Sequence, residues 1–223
     1  MKTRILPVKL GITNCFILQG DGAVLVDCGV PNQREAFLRH LQAHGISPKD
    51  IRLIVLTHGH YDHTGSAAAI KSLTGAPIAL HRADADAVQK GETLTIQGVT
   101  GWGRVVAGLS RLGSFAPAIP PLPIDTVLED ESISLEPYGI PGRVIHTPGH
   151  TQGSVSILLE GGHALVGDLA IAMPPLRFSP GLSILGSDIE TVKASARKLL
   201  DLGACVIYPS HGAPFSAEVL RRD

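Results

Sequence analysis

The stretch from residue 51 to residue 63 constrains this chain more than any other. Residues 51–56 form a continuous apolar run, rich in β-branched side chains and broken only by Arg52, that leads directly into Thr57-His58-Gly59-His60-Tyr61-Asp62-His63. The run reads as a strand, and the dense polar stretch after it marks a strand-to-loop junction of the kind where α/β proteins place their chemistry. The flanking sequence agrees with a layered α/β arrangement of sheets flanked by helices. Residues 5–10, 14–19 and 23–27, with the turn Gly20-Asp21-Gly22, read as an antiparallel meander. Residues 32–44 carry Ala36, Phe37 and Leu41 at helical spacing and stop at Gly45. A helix is expected at 65–73, closed by Gly75, and strand and helix then follow through Leu80 and Val88. Strands are expected at 144–146, 154–159 and 164–166, the last two joined by Gly161-Gly162. After them come a helix at 187–202, a strand at 205–208 and a short closing helix at 213–220. The 223 residues fit one large domain, and 25 glycines with 16 prolines supply many turns.

Residues i and i+2 of an extended chain point the same way, so His58 and His60 can grip one ion together. If the chain then turns into the helix near Gly65, Asp62 and His63 can face a second position. By chance the pattern H-x-H-x-D-H is expected on the order of once in a thousand chains of this composition. One loop cannot complete a tetrahedral or five-coordinate site, so further ligands are expected at other strand ends. Three candidates stand there: His150 in Thr147-Pro148-Gly149-His150-Thr151, Asp168 after Gly167, and His211 in Pro209-Ser210-His211-Gly212. Each has an ordinary alternative, as a turn residue for the histidines and as a helix N-cap for Asp168.

The ordered set of Asp27, T-H-x-H-x-D-H at 57–63, P-G-H-T at 148–151, G-D at 167–168 and S-H-G at 210–212 resembles the metallo-β-lactamase-fold metallohydrolases across essentially the whole chain. The resemblance implies an α/β, four-layer αββα sandwich, a single domain over residues 1–223, with a dinuclear metal site at one edge. It implies His58, His60 and His150 as ligands of a first metal, Asp62, His63 and His211 as ligands of a second, and Asp168 as the bridging carboxylate. Asp27 resembles the family's early structural aspartate, supporting ligands rather than binding metal. Two cations about 3.5–4 Å apart bridge a water, lower its pKa towards neutrality and polarise a carbonyl or phosphoryl oxygen. Hydrolysis is then the reaction class, with Asp62 or a neighbouring group moving a proton to the leaving atom. Imidazole and carboxylate donors favour zinc, and iron or manganese fit the same donors. Five of the ten histidines are thereby placed. His40, His44, His81 and His163 read as structural, and His146 as a strand residue or a support for the ligands. Cys205 is not needed as a ligand.

Within the family the chain resembles the small hydrolases grouped with glyoxalase II and the acyl-homoserine lactonases. Only 12 residues follow His211, so the C-terminal helical domain through which glyoxalase II binds glutathione is not expected, and ester, lactone or other thioester cleavage stays open. Two segments bear on the substrate. Residues 93–124, with Arg104 and Arg111 as their only charges, read as an insertion, and residues 169–187 are also apolar. If they line the cleft, the substrate is a small molecule with an apolar or acyl part; otherwise they form core or a homodimer contact. Arg177, with Phe178 beside it, is the cation placed to meet a substrate carboxylate. A formal charge of −1 argues against nucleic acid as a partner and against the phosphodiesterase or nuclease branch of the fold. An iron-dependent persulfide dioxygenase is the redox alternative. No secretory signal or membrane-length apolar run is visible, and three widely spaced cysteines suit reduced thiols, so a cytoplasmic location is expected.

Overall fold

The computed structural model describes residues 3–92, 94–95, 97–113 and 119–222. Strands β1 (Arg4–Leu10), β2 (Thr13–Gln19) and β3 (Ala23–Val26) pair antiparallel as the expected meander. β4 (Ile51–Val55), β5 (Ile78–His81) and β6 (Thr126–Leu128) then add in parallel, completing a six-stranded sheet in chain order. The later strands are β7 (Ile133–Ser134), β8 (Gly142–His146), β9 (Val155–Leu159), β10 (His163–Leu165), the short pair β11 (Ala170–Ile171) and β12 (Gly181–Leu182), β13 (Val206–Tyr208) and β14 (Phe215–Ser216). All but β11 and β12 form a second sheet, ordered β14-β13-β10-β9-β8-β7, in which only β10 and β13 are parallel.

Two-residue alternation along the central strands assigns side chains to layers. Cys15, Ile17, Leu25, Ile54, Ile78 and Leu80 pack under α1 (Arg34–His44), α3 (Ala67–Thr74) and α4 (Arg82–Lys90). Phe16, Leu18, Val24, Val26, Leu53 and Val55 face the other way, against Val144, Ile157 and Leu165 of the second sheet. The outer face of that sheet buries Ile145, Leu158 and Ile207 under Val192, Ala196 and Leu199 of α6 (Ile189–Asp201). The result is the expected mixed α/β sandwich with helices outside two facing sheets.

Two expectations need correction. The helix foreseen at 65–73 starts two residues later, as α3, and the residues before it, Asp62 and His63 included, form a helical turn of their own, α2 (Tyr61–Thr64). Gly65, which follows α2, lies so close to Pro31 that a Cβ there would overlap it. The closing helix foreseen at 213–220 is instead β14, paired to β13, followed by a 3-10 turn over Ala217–Arg221 whose N-terminus Ser216 caps. The short strands β6, β7, β11 and β12 had no sequence signal of their own, since two or three residues are too few for a period to show.

The insertion folds as α5 (Gly101–Gly113) with an extended return from residue 119; Thr93, Ile96 and residues 114–118 lie outside the described residues. Among the described residues no helix is long and apolar enough to cross a membrane. Phe37 is the largest fully buried side chain and anchors α1 on the first sheet. Phe37→Ala is expected to lower stability by about 3–5 kcal/mol in urea denaturation, with an unchanged m-value.

Candidate metal centre

Five chain segments leave the ends of β3, β4, β8, β10 and β13 and meet at one edge of the sandwich. Backbone bonds tie them together there: Val155 N donates to Thr57 O at 2.8 Å, Cys28 N to His63 O at 2.8 Å, and Asn14 N to Ser210 O at 2.8 Å. All seven residues expected as ligands are buried at this edge.

His58, His60 and His150 form the first group. His60 Nδ1 lies 3.0 Å from His58 Nε2 and 3.0 Å from His150 Nε2. The other ring nitrogens fix the tautomers. His150 Nδ1 donates to the Leu185 carbonyl at 3.0 Å. The Thr57 hydroxyl donates to Asp27, so it receives His58 Nδ1–H at 3.1 Å. Both Nε2 lone pairs therefore point at His60 Nδ1, and at most one proton, that of His60, can occupy the shared space. Asp62, His63 and His211 form the second group. His211 Nε2 is 3.2 Å from Asp62 Oδ2, and His63 Nε2 is 3.7 Å from the same oxygen. Asp168 stands between the groups, with Oδ2 at 3.6 Å from His150 Nε2 and 3.4 Å from His211 Nε2, and Oδ1 at 3.5 Å from His63 Nε2. His60 Nε2, His63 Nε2, Asp168 Oδ1 and His211 Nδ1 are buried without a hydrogen-bond partner. Buried polar atoms left so are costly, and of these His63 Nε2 and Asp168 Oδ1 belong to the donors gathered at the centre, where cations would satisfy them. The residues present fit a pair of divalent ions.

Asp27, 1% exposed, sits beneath the second group in the left-handed region at φ 62°, a conformation that Asp tolerates better than most residues. Its Oδ1 accepts from Thr57 N at 2.8 Å, and its Oδ2 accepts from His63 Nδ1 at 2.8 Å and from the Ser210 hydroxyl at 3.3 Å. That fixes the His63 tautomer and leaves Nε2 free for an ion, which is the supporting role expected of it.

Without an ion His58 and His60 of the first group and His63 and His211 of the second are shifted in opposite senses. Burial pushes the His58 and His60 imidazoles down and the adjoining rings push further, His63 most for His58 and His150 for His60, which falls to about 3. Burial opposes protonation of His63 and His211 too, but Asp27 and Asp62 outweigh it for His63, raised well above its usual value, and Asp168 for His211, raised to about 10. Burial would raise Asp62, yet the His63 charge and the His211 hydrogen bond hold it down to about 2. Asp168 is likewise lowered, chiefly by His211.

Away from the two groups, His81, read as structural, and His146, read as a strand residue or a support for the ligands, stack with centroids 4.0 Å apart and planes 9° from parallel, both facing Asp130 Oδ1 at 3.2 and 3.1 Å. The two ring nitrogens and Asp130 Oδ1 lie within 4.8 Å of one another, but Asp130 is 80% exposed, unlike the buried donors of the two ligand groups. Arg177 donates to the Ser179 and Leu182 carbonyls at 3.0 Å each, within its own loop, and the Phe178 side chain is 80% exposed. The two weakly charged segments pack on each other: Val99 N donates to Ile184 O, Gly186 N to Gln97 O, and Trp102 Nε1 to Pro175 O. Sequence reasoning missed Asp84, a carboxylate 1% exposed behind the ligand loops. The one signal was its place a helical turn before Val88, on the apolar face of α4.

The fold and this centre define a metallohydrolase class, and comparison with known proteins agrees. Residues 8–211 match the model of the metallo-beta-lactamase superfamily. The chain belongs to that family. It is 29% identical over 200 residues to a protein named as a probable metallo-hydrolase of Methanocaldococcus jannaschii, covering 90% of this chain and 87% of that one. It is 31% identical over 220 residues to an uncharacterized protein of Mycobacterium tuberculosis, covering 92% and 88%. Among solved structures, the BLEG-1 B3 metallo-beta-lactamase superposes with a TM-score of 0.73 at 25% identity, covering 96% and 95%. The protein TTHA1623, crystallised in a di-iron-bound form, gives 0.67 at 28% identity, again covering 96% and 95%.

Because the second group holds protons that an ion must displace, its affinity is expected to rise with pH from neutrality to about 10, roughly tenfold per unit for each proton released. The first group, in which burial and neighbouring rings hold His58 and His60 down, should show less dependence. Calorimetric zinc titration at pH 7 in buffers of different ionisation enthalpy checks this: more protons should leave with one equivalent than with the other.

Proposed function

We propose that the protein is a metal-dependent hydrolase that uses a dinuclear site to cleave an ester, lactone or thioester bond of a small molecule with an apolar or acyl part. The observation that carries this reading is the pair of ligand groups sharing Asp168 across 3.4 to 3.6 Å. Two divalent ions there would bring a bridging water's pKa towards neutrality and polarise the scissile carbonyl. The chain's own groups do the rest. Asp168 fixes the two ligand groups relative to each other. Asp62, held ionised and receiving the Thr13 hydroxyl at 3.3 Å, accepts the proton of the attacking water and returns it to the leaving oxygen or sulfur.

The apolar character of the substrate is inferred from the wall beside the first group. Ala107 of α5 packs with Ile184 and Leu185, and the Leu185 carbonyl is the one that orients His150. Zinc suits these donors; the di-iron form of one structural relative makes iron the other outcome for metal analysis. Free thiols at Cys15, Cys28 and Cys205 accord with a cytoplasmic setting.

The test is metal analysis coupled to a panel of lactone, thioester, ester, β-lactam and phosphodiester substrates. Acyl substrates should turn over, and His60→Ala and Asp168→Ala should each lower kcat/KM by at least about 10²-fold while exposed His44→Ala leaves it unchanged. A metal-replete protein that cleaves only the phosphodiesters, or none of the panel, would overturn the proposal.

A further inference from the structure

Asp84 is a buried carboxylate that neither ligand group uses. Its Oδ2 accepts the Gly59 N–H at 2.9 Å and the Thr151 hydroxyl at 2.7 Å, and its Oδ1 accepts the Gly153 N–H at 3.0 Å. Gly59 separates His58 from His60, Thr151 follows His150, and Gly153 closes the same turn. All three bonds therefore end on the two loops that supply the first ligand group. Three donors converging on one carboxylate compensate its burial and hold both loops at a fixed distance from α4.

The glycines explain why the approach is so close. A Cβ on Gly153 would lie 2.7 Å from Asp84 Cγ and Oδ1 and 2.9 Å from Asp84 N. A Cβ on Gly59 would lie 2.7 Å from Leu94, 2.9 Å from Val88 and 3.3 Å from Asp84 Cβ. Both positions must lack a side chain for Asp84 to reach the loop backbones. Asp27 works elsewhere: it holds His63 directly and Ser210 beside His211, and of the first group it reaches only Thr57, beside His58. Each ligand group thus has its own buried carboxylate, and Asp84 is the carboxylate that bonds both the His58-Gly59-His60 arch and the His150 turn.

We propose that Asp84 is the positioning residue of the first metal subsite, setting the separation of the two loops so that His58, His60 and His150 converge on one ion. The inference rests on the metal reading above but concerns one subsite only. Asp84→Asn is nearly isosteric and has one acceptor oxygen for three donors, so an amide N–H must face its side-chain NH2. Zinc affinities would be measured by competition with a chromophoric chelator, alongside the d–d spectrum of the cobalt-substituted protein. His150→Ala marks the first subsite and His211→Ala the second, and circular dichroism with thermal melting controls for folding.

Asp84→Asn should weaken the equivalent that His150→Ala removes by about 10- to 100-fold, alter its cobalt spectrum and leave the other equivalent near its wild-type affinity. Asp84→Ala should do so more strongly. A folded Asp84→Asn that keeps both affinities and the wild-type spectrum, losing only thermal stability, overturns the inference and leaves Asp84 a structural clip. Equal weakening of both subsites overturns it as well. Wild type that binds no ion overturns the metal reading together with this inference.

Discussion

His58 Nε2 and His150 Nε2, each 3.0 Å from His60 Nδ1 with its lone pair directed at it, form the constraint on which the rest of the site depends. Left to themselves such groups separate or take up water, because a buried acceptor facing another acceptor is costly. Here the rings cannot turn away. The Leu185 carbonyl holds His150, the Thr57 hydroxyl holds His58, and that hydroxyl is itself committed to Asp27. The surrounding fold stores an electrostatic mismatch that a cation resolves. This is the usual relation between a preorganised metal site and its supporting shell.

The sandwich makes such preorganisation possible through the direction of its strands. β3 and β4 run parallel in one sheet, and β8, β10 and β13 run the same way in the other, so their ends supply Asp27, the 57–63 loop, His150, Asp168 and His211 to one edge. Backbone bonds between the sheets, such as Val155 N to Thr57 O, then lock loops from different sheets together. The opposite titration of the two ligand groups follows from the same placement. His58 and His60 have mainly other imidazoles around them, whereas His63 and His211 lie among three carboxylates.

The two weakly charged segments show how tertiary structure turns composition into function. Neither 93–124 nor 169–187 bears a motif, yet where described they join by backbone bonds and pack Ala107 against Ile184 and Leu185, whose carbonyl touches a ligand. The wall of the centre and the orientation of His150 are therefore coupled. A substitution in this packing reaches the metal ligands without contacting them.

The seven candidate ligands and Asp27 were nameable from the sequence because each sits at a strand-to-loop junction and several share one dense run, and the fold gathers them at one edge. The meander and the helix stopped by Gly45 followed from periodicity and turn residues, whereas the pair of facing sheets followed from the family resemblance. What only the folded structure decided lies between elements distant in the chain. Asp84 became a bridge between loops, His81 and His146 became a stacked pair, Arg177 donated to the Ser179 and Leu182 carbonyls, and residues 61–64 formed a helical turn separate from the one at 67–74. Sequence spacing fixes which side chains share a local face, whereas a hydrogen bond across 69 residues depends on where packing brings two backbones, and no local pattern encodes that.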